Sequence, residues 1–234
     1  EEVLIYGMLN VKPYVRISRV FRDIPMDNIL GGANVPNMRE ILERKMPEKC
    51  KCIRSSEVRN RIVHPKDIKL EVIDYKASYS KEYFISMVSK DENGDRVLHG
   101  FVRLRLPNYD NNNEKKKEWI PELDGCAMIR EVHVYGKLKP TFANNAYYVQ
   151  QHKGLGKNMI EIAEKIAIKN GYYKISVTSG VGVRKYYEKL GYKLGEYYMI
   201  KDFKYYYYIN LIEYVVTICF IIYILILYLI KYIY

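Results

Sequence analysis

Residues 151–156 read Gln151-His152-Lys153-Gly154-Leu155-Gly156 and open a stretch whose apolar residues recur at helical spacing. Few local patterns constrain a chain as tightly. Glycines let the backbone come close to a bound group. The first turn of a helix carries backbone N–H groups with no carbonyl partner and the positive end of the helix dipole. Together these features hold an anion such as a pyrophosphate. The spacing predicts a helix from Gly154 to Asn170, with Leu155, Met159, Ile162, Ala163, Ile166 and Ala167 on its apolar face and Gly171 at its end. The competing reading is a helix start that uses glycine only for packing.

The segments around this helix read as a mixed sheet. Ile68 to Tyr75 alternates apolar and polar residues, and Glu82 to Ser89 and Arg96 to Leu106 flank Asp91-Glu92-Asn93-Gly94-Asp95, a hairpin signal. Pro107 to Glu118 holds an Asn run and a Lys run and is expected to be a solvated loop. Cys126 to Tyr135 reads as the next strand, followed by a second loop, Gly136 to Tyr148. After the long helix come a strand at Lys174 to Thr178, a helix at Val183 to Leu190 closed by Gly191, and a strand at Glu196 to Lys201. A meander followed by helix, strand, helix and strand gives an α/β fold, a mixed sheet with helices packed against it.

Both ends differ from this middle. In residues 1–67, Val3 to Leu9 and Tyr14 to Val20 are short apolar or alternating runs. A helix is expected from Pro36 to Lys45, with Asn34 as its cap and Pro47 as its stop. At the other end, Tyr214 to Ile230 is 17 residues without a charge. Roughly 20 apolar residues cross a bilayer. Lys201 and Lys204 precede the run, Lys231 follows it, and tyrosines stand at both ends as interfacial anchors. Residues 205–232 are therefore expected to form a single C-terminal transmembrane anchor, the alternative being a buried core helix. The lysines ahead of the run favour keeping residues 1–204 on the cytoplasmic face of an organelle membrane. The short uncharged core suits a thin membrane, that of the endoplasmic reticulum or the mitochondrial outer membrane.

The net charge of +11 suggests a polyanionic partner, whether RNA, the phosphates of a cofactor or an anionic membrane surface, against the bland reading of a solvated basic surface. Arg16, Arg19 and Arg22 are the candidate RNA contacts. Four cysteines, Cys50, Cys52, Cys126 and Cys219, make no disulfide framework and fit a reducing compartment. The chain opens on Glu1 within apparent structure and is expected to be part of a longer protein.

The Gln-x-x-Gly-x-Gly turn, placed between a strand and a helix, resembles the acetyl-CoA signature of the GNAT acyltransferase superfamily. Tyr186 and Tyr187 lie in Val183-Arg184-Lys185-Tyr186-Tyr187-Glu188-Lys189-Leu190-Gly191-Tyr192, and in GNAT enzymes an aromatic of this helix sits near the departing CoA sulfur. A tyrosine hydroxyl there can give a proton to the thiolate. Adjacent helical residues point about 100° apart, so one of the two is expected to face the cofactor, and Tyr187 is preferred.

Arg22 to Pro25, Arg130-Glu131-Val132-His133-Val134-Tyr135-Gly136, Gln151 to Gly156, Ser179 to Gly182 and Tyr186 to Tyr192 together resemble the successive landmarks of the Elongator catalytic-subunit family, over about residues 1–201. The resemblance implies a GNAT domain at 68–201 preceded at 1–67 by the end of a radical-SAM barrel and a linker. It implies acetyl-CoA contacts at Glu131, Val132, His133 and Val134 on a strand, and at Gln151, Gly154, Leu155, Gly156 and Lys157 at the pyrophosphate turn. Tyr187, with Tyr186 beside it, would serve the thioester. The implied activity is an acetyl-CoA-dependent acetyltransfer to the wobble uridine of tRNA, giving a carboxymethyluridine-type modification. SAM and a 4Fe-4S cluster belong to a barrel outside this chain, and the partners are tRNA and other Elongator subunits. Two alternatives stand beside this: a lysine N-acetyltransferase acting on histone or another protein with Glu131 as its base, and a membrane-tethered scaffold without turnover. Cys50-Lys51-Cys52-Ile53-Arg54 resembles a metal-binding loop found in part of the family. Two thiolates suit zinc. Ser55 stands where a third cysteine is expected and His64 is a further candidate ligand, with two ordinary reduced thiols as the plain alternative.

Overall fold

The computed structural model describes residues 1–20, 28, 30–32, 35, 37–59, 61, 63–78, 80–107, 120–136, 154–203, 215–226 and 228. The expected cap Asn34 and the turn residues Gln151 to Lys153 lie outside these, as do most of the two long loops and the ends of the uncharged tail.

Helix α1 (Glu2–Asn10) is the first departure from the sequence reading, which saw only short runs there. Leu4, Ile5 and Met8 fall at helical spacing and pack on Met38 and Leu42 of α2 (Met38–Lys45) and on Cys50 and Cys52. That shared burial, rather than an alternating pattern, sets the conformation. Helix α2 starts two residues later than expected, is capped at Asn37 and ends at Met46, just before Pro47. A single turn, α3 (Ile53–Ser56), buries Ile53. Among the described residues, 1–67 contain helices and no strand.

Strands β1 (Lys69–Ala77), β2 (Ser80–Lys90), β3 (Arg96–Pro107) and β4 (Cys126–Val134) follow the expected meander. The turn at 91–95 closes with Asp91 N–H donating to the Asp95 carbonyl at 3.0 Å. Helix α4 (Leu155–Lys169) leads to β5 (Lys174–Val177), α5 (Arg184–Lys189), β6 (Lys193–Leu194) and β7 (Met199–Asp202). The sheet has seven strands in the order β1-β2-β3-β4-β5-β7-β6. β5 runs parallel to β4 and antiparallel to β7, and β6 pairs antiparallel with β7. The small strand β6 was not expected. Its turn is held by Glu122, whose two carboxylate oxygens accept the N–H groups of Glu196 and Tyr197 at 2.8 Å each.

The chain divides into two compact units. One comprises Glu1–Tyr75, Glu82–Arg103 and Glu131–Glu161; the other comprises Lys76–Lys81, Leu104–Arg130 and Ile162–Tyr234. In the first unit, Ile53, Phe84, Leu98 and Phe101 form one buried cluster, and Val58, Val63 and Val97 another. In the second, Ala163, Ala167, Ile175, Val177, Tyr187, Tyr192 and Met199 are buried. A buried carboxylate belongs to this unit as well. Glu164 accepts from the Tyr192 hydroxyl at 2.9 Å and from Lys201 Nζ at 2.8 Å, so its charge is paired and hydrogen-bonded.

The described part of the tail is a helix over 215–226, and its residues are exposed. Among the described residues no helix is long and apolar enough to cross a membrane.

Candidate functional site

The pairing of β4 with β5 runs from Cys126↔Lys174 to Ile129↔Val177. Arg130 to Val134, the last five residues of β4, extend past that register. They include all four residues expected on the strand. Glu131 and His133 stand two apart and so share a face. Glu131 Oε1 lies 2.9 Å from His133 Nε2. Glu131 Oε2 accepts from Arg103 Nε at 2.8 Å. Val132 is half-buried and Val134 is 42% exposed.

Arg103 on β3 is the hub of this face, and the sequence did not single it out. Besides Glu131, it donates from Nη2 to the Tyr14 carbonyl at 2.7 Å and from Nη1 to the Tyr75 hydroxyl at 3.2 Å. Its guanidinium carbon stands 5.4 Å from the ring centres of both Phe84 and Phe101. The rigid fork of arginine suits such a junction, because its donors leave in one plane at fixed angles. Tyr75 in turn donates to Glu82 at 2.8 Å and stacks on Tyr14 with ring centres 4.0 Å apart. Burial pushes the Tyr75 pKa up, and the bond to Glu82 adds to that rise. The signal available in advance was an arginine between apolar residues in a strand, a weak one.

His133 is held by its neighbours in the same unit. Its ring stacks on Phe101 at 5.3 Å and on Tyr135 at 6.0 Å. Tyr135 accepts from Arg16 Nη1 at 3.1 Å, and burial pushes its pKa up to about 12. Arg16 also pairs with Glu57 at 2.6 Å. The arginine expected to reach RNA phosphates is thus engaged inside its own unit. Arg19 is described but no RNA-facing geometry follows from its placement, and Arg22 lies outside the described residues.

The glycine turn is described from Gly154 onward. Gly154 has φ +96°, a conformation open to glycine, and an added Cβ there would meet nothing within 4 Å. The next three residues, Leu155, Gly156 and Lys157, begin α4, and their N–H groups have no carbonyl within the helix to bond. Lys157 pairs loosely with Glu161, at 3.7 Å. An open backbone at Gly154 and a run of first-turn N–H groups without partners inside the helix fit a pyrophosphate.

In the second unit, Tyr187 on α5 is buried and Tyr186 is 40% exposed. Tyr187 contacts Tyr186 and Tyr192 edge-on, with ring centres 5.3 and 5.7 Å away. Burial, with a smaller contribution from Tyr186, pushes the Tyr187 pKa up to about 12, so the phenol keeps its proton across the ordinary pH range. Its hydroxyl makes no hydrogen bond among the described residues, which leaves it able to serve a ligand.

Cys50 and Cys52 are buried beside α2, but they do not gather the donor set that zinc requires. Arg39 Nη1 and Nη2 lie 3.9 and 4.0 Å from Cys52 Sγ. The same guanidinium donates to Ser55 Oγ at 2.9 Å and to the Ile17 carbonyl at 2.8 Å, and pairs with Glu43 at 3.3 Å. His64 is exposed, and its Nδ1 accepts from the Lys66 N–H at 3.3 Å. Among the described residues no three His, Cys, Asp or Glu side chains group as metal ligands. A guanidinium stands where a metal's positive charge would be. The bond from the Cys50 thiol lowers the Cys52 pKa against the cost of burial, and the same bond raises that of Cys50.

No family model matches the chain. Over 201 residues it is 39% identical to Elongator complex protein 3 of Schizosaccharomyces pombe, covering 82% of this chain and 35% of that protein. Over 204 residues it is 38% identical to the tRNA uridine(34) acetyltransferase of Methanocaldococcus jannaschii, covering 82% of this chain and 36% of the relative. The chain thus spans about a third of the length of these curated relatives. A solved structure, the archaeal Methanocaldococcus infernus Elp3 with an N-terminal deletion, superposes with a TM-score of 0.67 at 35% identity, over 86% of this chain and 47% of that one.

The strand face depends on a close approach at Gly100, where an added Cβ would lie 2.7 Å from the His133 carbonyl oxygen and 3.3 Å from Val134 Cα. Both neighbours are backbone and cannot swing aside. Gly100→Ala is expected to lower stability by about 2 kcal/mol, an overpacking cost. Urea denaturation checks this, and an unchanged midpoint would mean that the approach is not tight.

Proposed function

This chain is a homologue of Elongator complex protein 3 over 82% of its length, and on that footing we propose that it is the acetyl-CoA-binding part of a tRNA wobble-uridine acetyltransferase. The observation that carries the reading is the meeting of homology with the open backbone at Gly154 and the first-turn N–H groups of Leu155 to Lys157, in the segment where the resemblance puts the pyrophosphate. Acetyl-CoA supplies an activated two-carbon unit. Glu131 to Val134 line its pantetheine arm through backbone groups. Leu155, Gly156 and Lys157 hold the pyrophosphate, and Tyr187 gives its proton to the leaving thiolate. A carboxymethyl product, SAM and a 4Fe-4S cluster follow from the family, with the last two serving a barrel that is not among these residues. The tRNA and the other Elongator subunits are the corresponding partners.

The lysine-acetyltransferase alternative loses ground at Glu131. Both of its oxygens are engaged, by Arg103 and by His133, so it is poorly placed to deprotonate an ammonium group.

The tail supports a second proposal, a membrane tether on the cytoplasmic face of an organelle. Val216, Phe220, Ile222 and Tyr223 are each half or more exposed, as are Val215, Ile221 and Leu225, so apolar side chains project on every side of the helix over 215–226. A core helix would bury them.

Four outcomes are expected. Gly156→Glu places an anion against the pyrophosphate and should abolish binding of a CoA analogue in calorimetry; unchanged affinity in a folded variant contradicts the assignment. Tyr187→Phe should keep binding and slow thioester cleavage by roughly ten- to a thousand-fold, with Tyr186→Phe milder. Because the Tyr187 pKa is raised to about 12, the wild type should keep this donor as pH rises and lose it only on approaching that value. A reporter fused to residues 202–234 should become carbonate-resistant in membranes yet protease-accessible on intact organelles, and a soluble reporter removes the tether.

A further inference from the structure

The proposed acetyl donor raises a chemical requirement that no residue assigned so far meets. If the product carries a carboxymethyl group, the thioester carbonyl must end as a carboxylate. Water must then attack that carbonyl, forming a C–O bond as the C–S bond breaks. The attacking water has to lose a proton to a base.

We propose that His133 is that general base, positioned by Glu131 and Arg103. The inference rests on the acetyl-CoA reading above. His133 Nε2 stands 2.9 Å from Glu131 Oε1, and a carboxylate that close favours the tautomer with the hydrogen on Nε2. That leaves the lone pair on Nδ1, for which no partner exists among the described residues. The ring is about half exposed, so water reaches it. Stacking on Phe101 and Tyr135 holds its plane. Arg103 takes the second Glu131 oxygen at 2.8 Å and is itself fixed by Tyr14 and Tyr75, so the carboxylate cannot turn away. Base, orienting carboxylate and anchoring cation follow one another through contacts of 2.9 and 2.8 Å.

The other titratable groups around this face are less suited. Glu131 is occupied on both oxygens. Tyr135 accepts from Arg16 and has its pKa pushed up to about 12, so it holds its proton. His99, on β3, is buried and bonded to Ser89 Oγ at 2.8 Å. Glu82 accepts from Tyr75, and Glu57 pairs with Arg16.

In the step, the water oxygen bonds to the thioester carbon while one of its protons passes to His133 Nδ1. The C–S electron pair leaves on sulfur, and the thiolate takes up a proton. Acetyl-CoA plus water becomes acetate plus CoA when no acceptor intervenes. No oxidant or further reactant is needed.

The test uses the full-length protein with tRNA and follows CoA release across pH, with acetyl-CoA affinity measured by calorimetry. His133→Gln is expected to bind acetyl-CoA within about three-fold of wild type and to release CoA roughly a hundred-fold or more slowly. Glu131→Gln should lose about ten-fold, as second-layer partners do. In histidine-labelled protein, the ring nitrogen signals that report which nitrogen carries the hydrogen should change in Glu131→Ala. Free imidazole should restore part of the rate to His133→Ala. A folded His133→Gln that keeps the wild-type rate overturns the proposal. So does parallel loss of binding and rate, which would make His133 a binding residue only. Absence of acetyl-CoA binding by the wild type would instead remove the underlying reading, and this proposal with it.

Discussion

Arg103 is the side chain on which the strand face depends. Its planar fork joins the Tyr14 carbonyl, the Tyr75 hydroxyl and the Glu131 carboxylate, three points far apart in sequence, within one compact unit. The guanidinium is mostly buried, so each of its partners would be left with an unmet bond if it were removed. Two phenylalanine rings beside it limit its freedom to find other partners. Through Glu131 the same fork reaches His133. The geometry of the β4 end is therefore set by the N-terminal segment and β1 as well as by the strand itself.

Much of the middle of the chain was legible in the sequence. Alternation gave β1 to β3, the Asn-Gly turn gave the hairpin, and the 3.6-residue spacing gave α4, whose buried face holds Met159, Ala163 and Ala167 as expected. The misses have physical causes. Leu4, Ile5 and Met8 look like a strand fragment until their burial against α2 is known. Strand β6 is two residues long and exists because Glu122, distant in sequence, caps its turn. Glu164 reads as a surface carboxylate in a helix pattern, yet it is buried with Tyr192 and Lys201, a pairing that only the tertiary fold creates.

The candidate site divides in the same way. The glycine turn at 154–156 was visible as a pattern, since backbone donors need little beyond local sequence, whereas 131–134 and Lys157 were pointed to only by the family resemblance. The partners that orient them were not. Arg103, Tyr14 and Tyr75 carry no motif, and nothing local marks Arg39 as the cation beside Cys52. The surroundings of the Cys50–Cys52 loop were likewise not legible. Two thiols two residues apart suggest a metal, but the fold brings them an arginine and a serine.

The most direct measurement of the central claim is the fate of the acetyl carbons. Full-length protein is supplied with tRNA and acetyl-CoA labelled in both acetyl carbons, and the digested nucleosides are analysed by mass spectrometry. The account expects both labelled carbons on the wobble uridine, with one CoA released for each nucleoside modified. Label recovered on protein lysines with none on tRNA would contradict it.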